Sequence, residues 1–205
     1  TAQPSAAGAG GRWAVLPETD PDAAVALSLL LVVVSIVVVL AARTESRLKE
    51  VAAEVDAAGG TSLVVPTDIT DDAQVADLVA GAVREHGGLD IVVNNAGIGG
   101  ANAPVGDLDL DNWDKVIDIN LVGTFNVLRL VAVEMARNGR EENGVIVNTA
   151  SVAAFDGQIG QAAYSASKFA AVGFSEATRA ELAAAVSNAG GLGVVTGGTD
   201  CWEYS

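Results

Sequence analysis

Gly144–Lys168, GVIVNTASVAAFDGQIGQAAYSASK, is the stretch on which the fold turns. Its opening, GVIVNTA, is a short β-branched apolar run of the kind that forms a strand buried on both faces. Ser151 follows that run directly. Thirteen residues later Tyr164 begins an alanine-rich segment, and Lys168 lies four residues beyond it. On a helix, residues four apart project from one face about a turn apart. A strand that delivers a hydroxyl past its carboxyl end, then a helix with a phenol and an ammonium, reads as a βα unit.

The trio suits proton transfer at an oxygen. A free phenol has a pKa of about 10 and is a poor base near neutrality. An ammonium one turn away stabilises the phenolate and draws it toward working pH. Ser151 adds a neutral hydroxyl that can hold a carbonyl oxygen beside the phenol. Asn120 and the run Asn94-Asn95-Ala96-Gly97 lie upstream. Each piece has a simpler reading. Tyr164 and Lys168 can be a surface helix pair, and Ser151 a cap or turn residue. Asn94 and Asn95 before Gly97 can be turn chemistry, and Asn120 can bond backbone inside its helix. One site accounts for all five together.

Outward from this stretch, helical and strand signals alternate as a parallel sheet with crossover helices requires. The predicted helices are Ser46–Ala58, Asp71–Gly87, Asn112–Arg137 and Ala162–Ala185. The predicted strands are Ser62–Pro66, Leu89–Val93, Gly144–Asn148 and Gly191–Val195. Asp68, Asn94 and Ser151 all follow strand ends, the edge where open α/β sheets bind ligands. The expectation is an α/β fold: a three-layer, Rossmann-like, doubly wound parallel sheet. It forms one domain over residues 1–205, with 1–11 disordered and 186–205 an irregular tail.

Composition narrows the function classes. The 205 residues hold 11 Lys and Arg against 26 Asp and Glu, a net charge of −15. That balance argues against nucleic acid and against anionic membrane surfaces. The single cysteine, Cys201, excludes an internal disulfide framework and fits a reducing, cytoplasmic compartment. One histidine, His86, and no Cys/His cluster predict no metal site. His86 is expected in a solvated or capping role at a helix end. Because the chain starts at Thr1 and its only methionine is Met135, it is expected to be a piece of a longer one.

From about Leu40 to Leu182 the chain resembles the short-chain dehydrogenase/reductase family of Rossmann-fold oxidoreductases. The resemblance implies NAD(P)-dependent interconversion of a secondary alcohol and a ketone, with a small-molecule substrate. It implies that Tyr164 is the acid/base and that Lys168 also grips the nicotinamide ribose. Ser151 would orient the carbonyl, and Asn120 would hold a water linking Lys168 to solvent. Asp68 and Ile69 match the pair that flanks the adenine. Asn94, Ala96 and Gly97 match the loop where backbone approaches the cofactor. The runs NLVGTFNVLRLVAVEMARN and GVIVNTASVAAFDGQIGQAAYSASK are most similar to the short-chain 3-hydroxyacyl-CoA and hydroxysteroid dehydrogenases, which use NAD. A homo-oligomer through the helices bearing Asn120 and Tyr164 is also implied.

Cofactor choice points the other way. Family members that use NAD often place an Asp just before the Arg43 position, where this chain has Ala42. An arginine there can pair with a ribose 2′-phosphate, so NADP(H) is expected and NAD(H) stays open.

Both ends depart from the family pattern. Its opening turn, T-G-x-x-x-G-x-G, should follow a first strand at Arg12–Leu16. Pro17 falls on the threonine there, and Glu18, Asp22 and Ala24 fall on the glycines. Prolines lack a donor and carboxylates repel pyrophosphate, so weak or absent cofactor binding is expected. Ala23–Ala42 is a twenty-residue run without a charge. It reads either as a membrane-spanning helix or as a helix at Ala23–Leu31 followed by a strand at Val32–Leu40. Beyond Gly191–Val195 the family's Pro-Gly turn, substrate lid and last strand are missing. Two other functional classes therefore stay open: a degenerate binding or structural protein, and a membrane-anchored reductase.

Overall fold

The computed structural model describes residues 37–137, 144–185 and 193–197. β1 (Val37–Ala42) leads through α1 (Glu45–Ala57) to β2 (Thr61–Pro66), and α2 (Asp72–His86) leads to β3 (Ile91–Asn94). α3 (Leu110–Ile117), a π-helical turn (Asp118–Gly123) and α4 (Thr124–Arg137) form one continuous rod that returns to β4 (Val145–Thr149). A 3₁₀ turn (Val152–Ala154) and α5 (Ala162–Ala185) then lead to β5 (Gly193–Gly197).

All strand pairings among the described residues are parallel. β1 pairs with β2, Val37 opposite Thr61, and β3-β4-β5 form a second ladder with Ile91 opposite Val145 and Val145 opposite Gly193. Parallel neighbours need crossovers, and helices supply each one. The fold is the Rossmann-like α/β arrangement that the alternation predicted. Its main core joins Val75 of α2, Val127, Leu128 and Val131 of α4, and Ile146 of β4. A second cluster joins Leu40 and Ala42 of β1 to Leu48 of α1. Burying an aliphatic side chain of this size is worth about 1.5–3 kcal/mol, so these clusters clamp helices onto strands.

Local chemistry fixes the helix ends. Asp71 caps α2 by accepting from the backbone N–H groups of Ala73 and Gln74. Gln74 donates its side-chain amide to the Asp71 carboxylate and accepts from the Asp68 N–H, which ties the cap to the turn before it. Gly87 ends α2 in the left-handed region at φ 78°, its N–H on the Val83 carbonyl. His86 is the last residue of α2, as expected, and it is half-buried. Its Nε2 is buried without a partner among the described residues.

Three expectations need correction. The predicted helix Asn112–Arg137 begins two residues earlier and is interrupted by the π-helical turn. Strand β1 runs on to Ala42, because Ala41 and Ala42 continue the parallel register with Val65 and Pro66. The end of the uncharged run is therefore strand, which excludes a membrane helix extending through Ala42. The last strand is Gly193–Gly197, two residues later than expected, inside the stretch expected to be an irregular tail. Arg12–Leu16, the phosphate-loop positions Pro17–Ala24, the helix Ala23–Leu31, the segment 1–11 and the rest of the tail lie outside the described residues.

Candidate active site

α5 brings the sequence-predicted pair together. Lys168 is 6% exposed, and its Nζ lies 5.7 Å from the centroid of the Tyr164 ring. The ammonium donates to the carbonyl oxygen of Thr149 at 2.8 Å, at the end of β4. No carboxylate pairs with it among the described residues. Burial alone therefore lowers its pKa from 10.5 to about 8, which leaves it mostly charged at neutrality. An ammonium facing the Tyr164 ring also gains cation–π attraction.

Ser151 follows β4, and its Oγ accepts from the Ala153 N–H at 3.2 Å, capping the 3₁₀ turn that packs against α5. The capping reading of Ser151 was correct. That bond occupies one lone pair and leaves the hydroxyl hydrogen available to another oxygen.

Asn120 sits in the π-helical turn and is 2% exposed. Its Oδ1 accepts from the Ile98 N–H and its Nδ2 donates to the Ile98 carbonyl, both at 2.8 Å. The simpler reading, a bond inside its own helix, gives way to a clamp on the loop after β3. That loop carries Ala96 and Gly97. A Cβ at Gly97 would lie 3.2 Å from Asn120 Oδ1 and 3.6 Å from Lys168 Nζ, so glycine serves close approach there. Asn94 is no turn residue. It ends β3, buried, and its side-chain amide donates to the Thr124 carbonyl at 2.8 Å and to Asn148 Oδ1 at 3.3 Å.

A second feature lies along the same strand ends. Arg43 and Asp68 line an open groove of about 360 Å³ with Thr70, Lys115 and Ile119. Asp111, Asp114 and Asp118 line it too, from α3 and the π-helical turn. The Asp68 carboxylate accepts from the N–H and hydroxyl of Thr70, which fixes its orientation. Arg43 and Lys115 form no ion pair among the described residues. Ile69 departs from expectation: its side chain packs on the core and against Gly123, where the missing side chain leaves room for it. Ile119 takes the groove position instead.

The model of the short chain dehydrogenase family matches residues 25–199. The chain belongs to that family. It is 45% identical over 133 residues to the 3-hydroxyacyl-CoA dehydrogenase type-2 of Homo sapiens, covering 61% of this chain and 51% of that one. It is 39% identical over 147 residues to a hexahydro-1H-indene-carboxyl-CoA reductase of Mycobacterium tuberculosis, covering 71% of this chain and 55% of that one. Among solved structures, an NAD⁺-bound xylitol dehydrogenase superposes with a TM-score of 0.69 at 34% identity, covering 72% of this chain and 56% of that one. A metagenomic short-chain oxidoreductase in complex with NADP superposes with a TM-score of 0.71 at 30% identity, covering 80% and 71%. The chain spans about half the length of the curated relatives it matches.

In this short-chain dehydrogenase the predicted residues fall into two groups. Asn120, Tyr164, Lys168 and Gly97 converge at one point, with Ser151 on the adjoining turn. Arg43 and Asp68 share the groove. Sequence reasoning missed Ser167, fully buried between Tyr164 and Asn120. It also missed Lys115, and the chain Asn94–Asn148–Ser175 that ties β3 to β4 and α5. A signal for Ser167 existed: a hydroxyl three residues after Tyr164 occupies the same helical face.

Proposed function

We propose that this short-chain dehydrogenase interconverts a secondary alcohol and a ketone with a nicotinamide dinucleotide. One observation carries the reading: a nearly sealed ammonium with no counter-ion among the described residues, facing the Tyr164 ring and the Cβ-free side of Gly97. A desolvated lysine without a carboxylate costs stability, and such groups concentrate where chemistry uses them. The residues present fit the dinucleotide. Gly97 leaves space beside Lys168, and Arg43 and Asp68 line a groove along the same strand ends.

The cofactor, when bound, supplies or accepts the hydride at carbon. Tyr164 gives its phenolic proton to the carbonyl oxygen in reduction and takes it back in oxidation. Lys168 steadies the phenolate and donates to the ribose. Ser151 holds the substrate oxygen with its free hydroxyl hydrogen. Asn120 keeps the loop after β3 in place and holds a water that connects Lys168 with solvent.

Arg43 favours NADP(H), because its guanidinium is exposed, forms no ion pair among the described residues and lines an open groove. NAD(H) is the alternative, since related proteins take either. An apolar substrate is favoured by the site's rim. The loops around Ala103 and Gly160 meet through a 2.9 Å backbone bond, and beside them Ile159 is 98% and Val105 81% exposed. The acyl-CoA and indene-carboxyl-CoA names of relatives support a hydroxyacyl or steroid-like skeleton. Exposed Val122, Phe125 and Val133, with Phe169 of α5, favour a homo-oligomer through these helices. The lone Cys201 favours the cytoplasm.

Fluorescence titration with NADPH and NADH tests the reading, alongside Tyr164→Phe. Tyr164→Phe should bind NADPH within about twofold of the parent while losing at least about 100-fold in turnover. Failure of either dinucleotide to bind at millimolar concentration favours a degenerate binding protein instead.

A further inference from the structure

We infer that Ser167 is the positioning residue that holds Tyr164 and Lys168 in register with the loop after β3, through a hydrogen-bond relay from Asn120. The inference rests on the functional reading above. Ser167 is fully buried, and its hydroxyl is used in both directions. It donates to the carbonyl oxygen of Tyr164 at 2.7 Å and accepts from Asn120 Nδ2 at 3.1 Å. A side-chain amide has two donor hydrogens. Asn120 spends one on the Ile98 carbonyl and the other on Ser167, while its oxygen takes the Ile98 N–H. Three segments remote in sequence are thereby pinned at one point: the loop after β3, the π-helical turn and the first turn of α5.

The geometry of the pin matters more than its strength. The carbonyl that Ser167 binds belongs to Tyr164. In a helix that same carbonyl accepts from the N–H four residues on, which is that of Lys168. A serine bonding back to a carbonyl in the preceding turn tilts it and bends the helix slightly. The turn that separates the phenol from the ammonium is therefore the turn whose pitch Ser167 adjusts. On the other side, the π-helical turn displaces Asn120 from a regular helical path, as such single turns do at functional sites. Gly97 lies against the same Asn120 Oδ1 and Lys168 Nζ, so a change in the relay is felt where the loop meets the ammonium.

Two substitutions separate hydrogen bonding from packing. Ser167→Ala keeps the volume nearly constant and removes both bonds. Ser167→Cys keeps a weak donor and acceptor in a larger side chain. With NADPH and acetoacetyl-CoA, or another ketone that the unsubstituted chain reduces, kcat should follow Ser, then Cys, then Ala. Alanine should lie about 10- to 100-fold below the parent, with KM and NADPH affinity within about twofold. Amide hydrogen exchange gives a readout independent of turnover. Ile98 should exchange about tenfold faster in Ser167→Ala, while Ile146 in the core stays within about twofold. Unchanged kcat together with unchanged Ile98 exchange in Ser167→Ala overturns the inference. So does alanine outperforming cysteine, which marks packing alone. If Ser167→Ala does not fold, Ser167→Cys carries the same comparison against the parent. If the unsubstituted chain reduces no ketone, the functional reading falls, and Ile98 exchange still decides the relay.

Discussion

Burial of Lys168 has a measurable consequence for stability. Its folded pKa of about 8 lies below the 10.5 of an unburied lysine. Between those values the unfolded chain still binds a proton that the folded chain has shed, so stability rises with pH across that window. Below pH 8 both states are charged, and the folded chain carries the whole cost of desolvation, about 3 kcal/mol at the upper bound. Lys168→Met should therefore melt above the parent at pH 7 without cofactor, and its advantage should shrink as pH approaches 10.5. Thermal melts of both proteins at pH 7 and pH 10 check this. An advantage that does not change with pH would mean that burial of charge is not its source. Asp71 has the opposite sign. Hydrogen bonds from the backbone and side chain of Gln74 hold its carboxyl below its ordinary 3.8. Its contribution is present above that value and is lost as pH falls through the lowered one.

Among the elements, the π-helical turn is the one that position in sequence could not reveal. It packs its Gly123 so closely on Ile69 that an added Cβ would lie 2.7 Å from both Cδ1 and Cγ1 of that side chain. Gly123→Ala should cost about 1–3 kcal/mol through overpacking. Combining it with Ile69→Ala should recover part of that loss, a coupling that a double-mutant cycle in urea measures directly. Additive losses would show that the two side chains do not compete for one space. α5 was legible to its ends, since the alanine-rich run after Gln161 and the spacing of Tyr164 and Lys168 follow local helical rules. The rod from α3 to α4 was legible only as a single helix. Its extra backbone residue answers to Asn120 reaching Ile98, 22 residues away in sequence, and no local pattern encodes that demand. The partners of Asn94 were hidden for the same reason. Asn-Asn-Ala-Gly reads locally as a turn, whereas Thr124 and Asn148 draw its first amide into the core.

At the scale of the whole molecule the field opposes the ligand proposed for it. The chain carries −15, and Asp111, Asp114 and Asp118 face the groove that Arg43 and Lys115 share. A dinucleotide is itself anionic, so long-range repulsion and short-range attraction to the two cations pull in opposite directions. Salt separates them by range. The Debye length falls from about 10 Å at 0.1 M to about 3 Å at 1 M, which removes the distant repulsion before the contact pairs. NADH, which lacks the 2′-phosphate, should therefore bind several-fold tighter in 1 M than in 0.05 M sodium chloride. If, as proposed, Arg43 meets the 2′-phosphate, NADPH should gain less, because salt also weakens that charge-assisted contact. The preference for NADPH should accordingly narrow with salt, and Arg43→Ala should abolish it at every salt concentration. Fluorescence titrations of both dinucleotides across that range read all three effects. If NADH affinity instead fell steadily with salt, the two groove cations would outweigh the acidic surface. Net charge would then say nothing about how this protein meets a dinucleotide.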